Sequence, residues 1–341
     1  MKIVLTGMPQ AGSQQLFSLL TGISSDQVIQ KPMEAHLGIC EVKDPRIVKL
    51  TGMYQPTKTT FTKIEYTLLP DFLLSGPSKN LILGELKNAD EICFIANSAT
   101  ASEDVGNFCS ELILNDLILV EKRLETLAKD QKKKFQQQKE VDKVLMEKIK
   151  PYLEASKVPD MGQFSEEEKK LLRTYQLLTL KPSFIIINTP EDKLLDTSVI
   201  DEISHNFNLP AIALNILLEE ELLALPDNDR REYMQEIGIE EPAINKMTRI
   251  VYEELGMISF FTVGEDEVRA WPIRKGSTAA EAGGVIHSDI AKGFVRAEHM
   301  TYTDLVELGS EAKVKEAGKF SLKGRDYIVE DGDVMSFRFN V

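Results

Sequence analysis

The sequence predicts an α/β fold: a mostly parallel sheet, a helical coiled-coil insertion within it, and a small α+β domain after it. Three observations carry this. A short apolar run at residues 2–5 leads through a glycine-bearing turn into an amphipathic run at 13–20. Apolar runs of strand length recur at 92–96, 184–187 and 211–214 with helical patterns between them, the alternation that builds a parallel sheet covered on both faces. Between residues 96 and 183 the apolar spacing changes to that of a coiled coil, and from about residue 257 the pattern changes again.

The 341 residues exceed one ordinary domain of roughly 100–200 residues, which implies two domains or one with a large insertion. A composition of 43% hydrophobic and 28% charged residues excludes a collagen-like or wholly disordered chain. Against 40 Lys and Arg stand 54 Asp and Glu, a net charge of −14, so nucleic-acid binding over the whole surface is disfavoured and only a local basic element is left for it. Cys40, Cys93 and Cys109 make no CxxC or zinc spacing, which reads as free thiols in a reducing cytosol and a cytoplasmic protein. No apolar run approaches the roughly 20 residues that span a bilayer. Residues 2–6 are too short an apolar stretch for a signal peptide, so no membrane partner is expected.

The first element is a strand at 2–5, then the turn Gly7, Met8, Pro9, Gln10, Ala11, Gly12, then a helix from Ser13. Two glycines five positions apart match the first six positions of GxxxxGK[ST]. The chemistry of that loop is backbone N–H groups and a helix N-terminus aimed at an anion, so Gly7, Gln10, Ala11, Gly12, Ser13, Gln14 and Gln15 are the candidate binding residues. The next two positions depart from the motif. Ser13 stands where a lysine would meet the phosphates, and Gln14 where a hydroxyl would hold Mg²⁺. The segment is either a phosphate cradle or a tight strand-to-helix turn that binds nothing.

Further along, 81–83 begins a helical stretch before the strand at 92–96, and 183–188 is a strand ending in the polar Asn188. Ligands of parallel sheets bind at the carboxyl ends of strands, where both the first loop and Asn188 lie. In the insertion, Ile113, Leu117, Val120, Leu124 and Leu127 step by four and three, a coiled-coil seam. A polar stretch containing Lys132, Lys133, Lys134 and Lys139 interrupts it, and Val141, Leu145, Ile149 and either Tyr152 or Leu153 resume an apolar face. Two helices joined by a basic tip make an antiparallel arm. Residues 121–150 carry +4 while the remainder carries −18, so the tip is either a contact for RNA or an acidic protein, or simply a solvated hairpin. From 257 onward, 260–263 and 268–273 read as paired strands, 278–287 as a helix and 334–339 as a last strand, a small α+β unit with its own core. His287, Ser288 and Asp289 are neighbours in sequence and cannot form a triad, because adjacent side chains diverge.

Together these motifs resemble the YchF/Obg-like ATPase family over nearly the whole chain. Residues 7–17 resemble its GLPNVGKSTLF loop, 178–182 precede a strand as there, and 231–238 and 268–271 follow in order. The longest matches are 286–297, 315–319 and 326–335. The resemblance implies a P-loop NTPase-like (Obg-type GTPase-like) domain over 1–110 and 175–256, a coiled-coil arm over 111–174, and a C-terminal TGS domain over 257–341. It implies a preference for ATP and a link to ribosomes and translation. Asn188 and Glu191 match the family's NxxE base-reading motif, with Glu in place of the aspartate that selects guanine; otherwise Asn188 ends a strand and Glu191 caps a helix.

Against that background the departures are concentrated. Ser13 and Gln14 replace the loop lysine and the Mg²⁺ hydroxyl, and Leu68 to Asp71 replaces the family's DxxG. The stretch after it is shortened, and residues 30–38 lack the threonine-containing switch. Phosphoryl transfer depends on positioning and charge neutralisation. The expectation is therefore a P-loop protein with degenerate nucleotide motifs, with no catalytic residue, ATP bound weakly if at all, and Mg²⁺ not held by the protein. It would act as a factor that binds the ribosome, RNA or a translation factor through the arm and TGS domain. A weak ATPase reading adenine through Asn188 and Glu191, or a structural partner of an intact paralogue, are the alternatives.

Overall fold

The computed structural model describes residues 1–42, 44–72, 79–129, 136–239 and 241–340. They form two compact units: Met1–Gly38 with Glu65–Met247, and Ile39–Ile64 with Thr248–Val341.

The first unit holds a six-stranded sheet in the order β2 (His36–Val42), β4 (Thr62–Leu68), β1 (Lys2–Gly7), β5 (Glu91–Asn97), β6 (Ser183–Asn188), β7 (Ala211–Leu214). The chain crosses between units within β2 and within β4. From β4 to β7 the pairing is parallel, with Val4 opposite Thr67 on one side and Ile92 on the other, and Ile186 between Ile95 and Ile212. Helices cover both faces, so the central strands are near-continuous apolar runs rather than alternating ones. Val4, Phe94, Ile185 and Ile187 are buried with Phe108 and Ile203 of the covering helices, and the rings of Phe94 and Phe108 stack at 4.4 Å.

The insertion is a helical hairpin, Ala101–Lys129 and Gln136–Glu154, whose antiparallel pairing is fixed by Arg123 with Asp142 and Glu121 with Lys150. Ile113 and Val120 are buried against Leu145, Met146, Ile149 and Leu153, with Leu117 and Leu124 at the margin. Two details differ from the sequence reading. The long helix begins at Ala101, and its first turns place Val105, Phe108 and Leu112 in the sheet's core before the arm begins. Val141 is 49% exposed, and Met146 takes the buried place instead, because the buried stripe runs through 145, 146, 149 and 153. Lys139 lies on the second helix; Lys132, Lys133 and Lys134 lie outside the described residues.

A buried carboxylate ties the hairpin to the strand that follows it. Asp116 is 0% exposed and accepts hydrogen bonds from Leu178 N (2.9 Å), Thr179 N (2.8 Å) and Thr179 Oγ1 (2.8 Å). Those two residues form the turn just ahead of β6.

The second unit holds the sheet β11 (Ser321–Lys323), β10 (Phe294–Thr301), β12 (Asp333–Phe339), β8 (Met257–Thr262), β9 (Glu267–Arg274), β3 (Lys58–Thr60). β8 and β9 are antiparallel as their spacing suggests, with Phe260 opposite Trp271. Residues 39–64, placed by sequence with the N-terminal domain, fall in this unit, as do 248–256. The reason is local. Asp44 caps a helix, Pro45–Tyr54, by accepting from Arg46 N at 2.8 Å, and the apolar face of that helix needs a sheet to cover. Ile47 and Leu50 are buried with Phe261, Val268, Met300 and Val334, and β3 adds in parallel to the edge of β9.

Candidate functional site

β1 ends at Gly7, and the loop after it is shaped by backbone rather than side chains. A Cβ on Gly7 would lie 2.4 Å from the Ile95 carbonyl oxygen and 2.6 Å from Ser13 Oγ, so only glycine lets β1, β5 and the next helix meet there. The loop closes by Met8 N donating to Ile95 O (3.2 Å) and Ala11 N to Met8 O (3.1 Å). Gln10 (φ 64°) and Gly12 (φ 99°) take left-handed conformations, and Gly12 turns the chain into the helix Ser13–Thr21. No side chain caps that helix at Gly12. The N–H groups of its first turn have no acceptor within the helix and carry partial positive charge. The backbone therefore presents an anion-facing turn.

The side chains do not complete it. Ser13 is buried (5% exposed), its Oγ lies beneath the loop against Gly7, and it hydrogen-bonds to no described residue. Gln14 is half-buried and Gln15 exposed. None of the three supplies a positive charge. On the adjacent strand, Leu68 and Leu69 are buried, with Leu69 N donating to Leu5 O and Phe72 N to Gly7 O. The one carboxyl there, Asp71, is raised above its ordinary value by burial. A neutral amide, Gln14, stands at the motif's hydroxyl position and an apolar side chain, Leu68, at its carboxylate position. Hard cations take oxygen ligands, carboxylates above all.

Asn188, the last residue of β6, reaches the loop. Its Nδ2 donates to Ala11 O at 3.1 Å and its Oδ1 accepts from Ile216 N at 3.4 Å. One side chain thus ties the loop, β6 and the start of the helix Ile216–Ala224 together. Glu191 does not share that meeting point. It begins a single 3₁₀ turn, is exposed, and lines a separate 490 Å³ hollow with Leu194, Leu195, Ile237 and Ile239. Its charge, followed by burial, raises the Tyr233 phenol above its ordinary value.

Sequence reasoning missed Ile216. It is 3% exposed and packs directly over Gly12: a Cβ there would lie 2.4 Å from Ile216 Cδ1 and 3.0 Å from Asn188 Nδ2. One residue earlier Asn215 caps the helix by accepting from Leu218 N at 2.9 Å, which signals the helix start but not the packing over Gly12. A 440 Å³ hollow walled by Ile216, Gln15, Ser18, Ser25 and Glu220 lies beside it.

In the second unit His287 is exposed and caps the short helix after it, its Nδ1 accepting from Asp289 N at 3.3 Å. A different histidine is buried: His299 pairs with Asp333 (2.8 Å) and Ser321 (3.1 Å), while Tyr327 donates to Asp333 at 2.9 Å. This network joins β10, β11 and β12.

A parallel sheet with a glycine loop between its first strand and helix, and an asparagine at a neighbouring strand end bound to that loop, defines a P-loop GTPase-like α/β protein. The chain belongs to the YchF family. It is 34% identical to the ribosome-binding ATPase YchF of Bacillus subtilis (strain 168), over 99% of this chain and 98% of that one. It is 34% identical to the YchF of Pasteurella multocida (strain Pm70) and 33% to that of Escherichia coli O157:H7, each over 100% of this chain and 99% of the relative. The family model YchF-GTPase_C, described as a protein of unknown function (DUF933), matches residues 257–340. The solved structure of the Schizosaccharomyces pombe YchF GTPase superposes with a TM-score of 0.83 at 25% identity, covering 99% of this chain and 97% of that one.

Proposed function

We propose that this YchF-family chain is a non-hydrolysing member that works as a ribosome-associated binding factor. The observation that carries the reading is Ser13, a buried neutral side chain at the position where phosphoryl transfer needs a lysine. With Gln14 and Leu68 also in place, nothing in the loop neutralises charge developing on a transferred phosphoryl group, and that neutralisation is most of what such enzymes supply. ATP, where it binds, is held weakly by first-turn amides and by Asn188, with little call for Mg²⁺. The uncapped turn at Gly12 favours this residual anion binding over a loop that binds nothing.

The ribosome enters through the relatives, which are named ribosome-binding ATPases. In this reading the contacts are made by the basic arm tip (Lys132, Lys133, Lys134, Lys139) and by the C-terminal unit, taken as a TGS domain, in a cytoplasmic protein. RNA or a translation factor is the immediate partner. A steady-state hydrolysis assay with ATP and GTP, on protein and its Asn188→Ala variant purified in parallel, tests the enzymatic half. We expect equal background rates for the two. Turnover that disappears in Asn188→Ala would overturn the reading.

A further inference from the structure

We infer that Ile216 is an occluding residue: its side chain packs over Gly12, where Asn188 meets the phosphate loop, and so lowers the nucleotide affinity of this site independently of the missing lysine. The inference rests on the proposed weak nucleotide binding of the same site and adds a second cause for it.

The geometry is direct. Ile216 is nearly fully buried, its Cδ1 sits over the Cα of Gly12, and its N–H is taken by Asn188 Oδ1. The other half of the Asn188 amide is spent on Ala11 O. A ligand held at once by the first-turn amides of Ser13–Thr21 and by Asn188 would meet Ile216 on the way, because its side chain lies over Gly12 and its backbone N–H is bonded to Asn188 Oδ1. The 440 Å³ hollow walled by Ile216, Gln15, Ser18, Ser25 and Glu220 shows that ligand-sized space exists beside the plug. Ile216 is thus a shared wall, against that hollow on one side and against Gly12 on the other.

Admitting a ligand means displacing the Ile216 side chain from an apolar contact, and the population of protein with it displaced scales the apparent affinity. Burial of an aliphatic side chain of this size corresponds to about ten- to hundredfold in that population. Ile216→Val removes Cδ1 alone, the atom over Gly12, and keeps the β-branched shape at the helix start. Ile216→Ala removes the rest.

The test is equilibrium binding of ATP and of ADP, without Mg²⁺, to the full chain and to Ile216→Val and Ile216→Ala, with thermal unfolding as a check on folding. The expected result is graded tightening, severalfold for Ile216→Val and at least tenfold for Ile216→Ala. Unchanged or weaker binding in a folded Ile216→Val protein overturns the inference, whatever the wild-type affinity. Tight Mg²⁺-dependent binding by the wild type would instead overturn the proposed weak binding, and the comparison between variants would still report on Ile216. Should Ile216→Ala fail to fold, Ile216→Val alone decides.

Discussion

Replacing Asp116 by alanine should loosen the junction between the arm and the strand that carries Asn188. The carboxylate accepts three hydrogen bonds from Leu178 and Thr179, and it is itself fully buried. Truncation leaves the buried Leu178 N–H without an acceptor, at a cost of about 1–3 kcal/mol. The two Thr179 donors are half-buried, so water recovers part of their loss. The sum is about 2–4 kcal/mol, well outside the range of an ordinary surface change. Asp116→Asn keeps one acceptor oxygen but turns an NH₂ toward a backbone N–H, and should fall between the two. Urea unfolding reads the stability change, and hydrogen exchange of a peptide spanning residues 177–182 reads its location. A loss below about 0.5 kcal/mol with unchanged exchange at that turn would refute the argument that Asp116 is the clamp.

Two further outcomes follow from the arm and the thiols. Changing Lys132, Lys133, Lys134 and Lys139 together to Glu should weaken ribosome co-sedimentation and flatten its salt dependence, since each phosphate contact releases roughly 0.7–0.9 of a counterion; equal co-sedimentation across a salt series would reduce the tip to a solvated hairpin. Cys109 packs against the core of the first unit, and burial pushes its thiol up from 9.0 to about 11. A raised thiol pKa means less thiolate at a given pH, so at pH 8 alkylation should run roughly a hundredfold slower than for an unperturbed thiol and climb about tenfold per pH unit. Labelling at the rate of a cysteine peptide, followed by mass spectrometry, would contradict this.

The parts of the fold that were legible in the sequence are those whose burial shows in local spacing. β1, β5 and β6 are buried on both faces, so their apolar runs stand out without a partner being known. The seam from Ile113 to Val120 reads equally well because a coiled coil repeats its signal. What stayed hidden depends on distant partners. β3 is Lys-Thr-Thr, which has no apolar signal, and its place is set by pairing with β9. The helix Pro45–Tyr54 looks like the cover of any sheet; that it covers Phe261 and Val268 is tertiary information. Val141 and Val144 are apolar yet half exposed, since an apolar residue one helical step off the stripe cannot be told from one on it. The strand, turn and helix around Gly7 and Gly12 were legible from the glycine spacing, and the place of Asn188 at a strand end from the apolar run before it. Ile216 was not, because an isoleucine opening a helix is unremarkable until Gly12 is seen beneath it.

In the proposed reading the loop has the backbone of a phosphate cradle without its charged side chains. Calorimetric titration of ATP into the protein, with and without Mg²⁺, tests that most directly. Weak binding that favours adenine over guanine nucleotides and changes little on adding Mg²⁺ is the predicted result. Tight binding of GTP that requires Mg²⁺ would contradict it, and would mean that the readings of Ser13, Gln14 and Asn188 are wrong together.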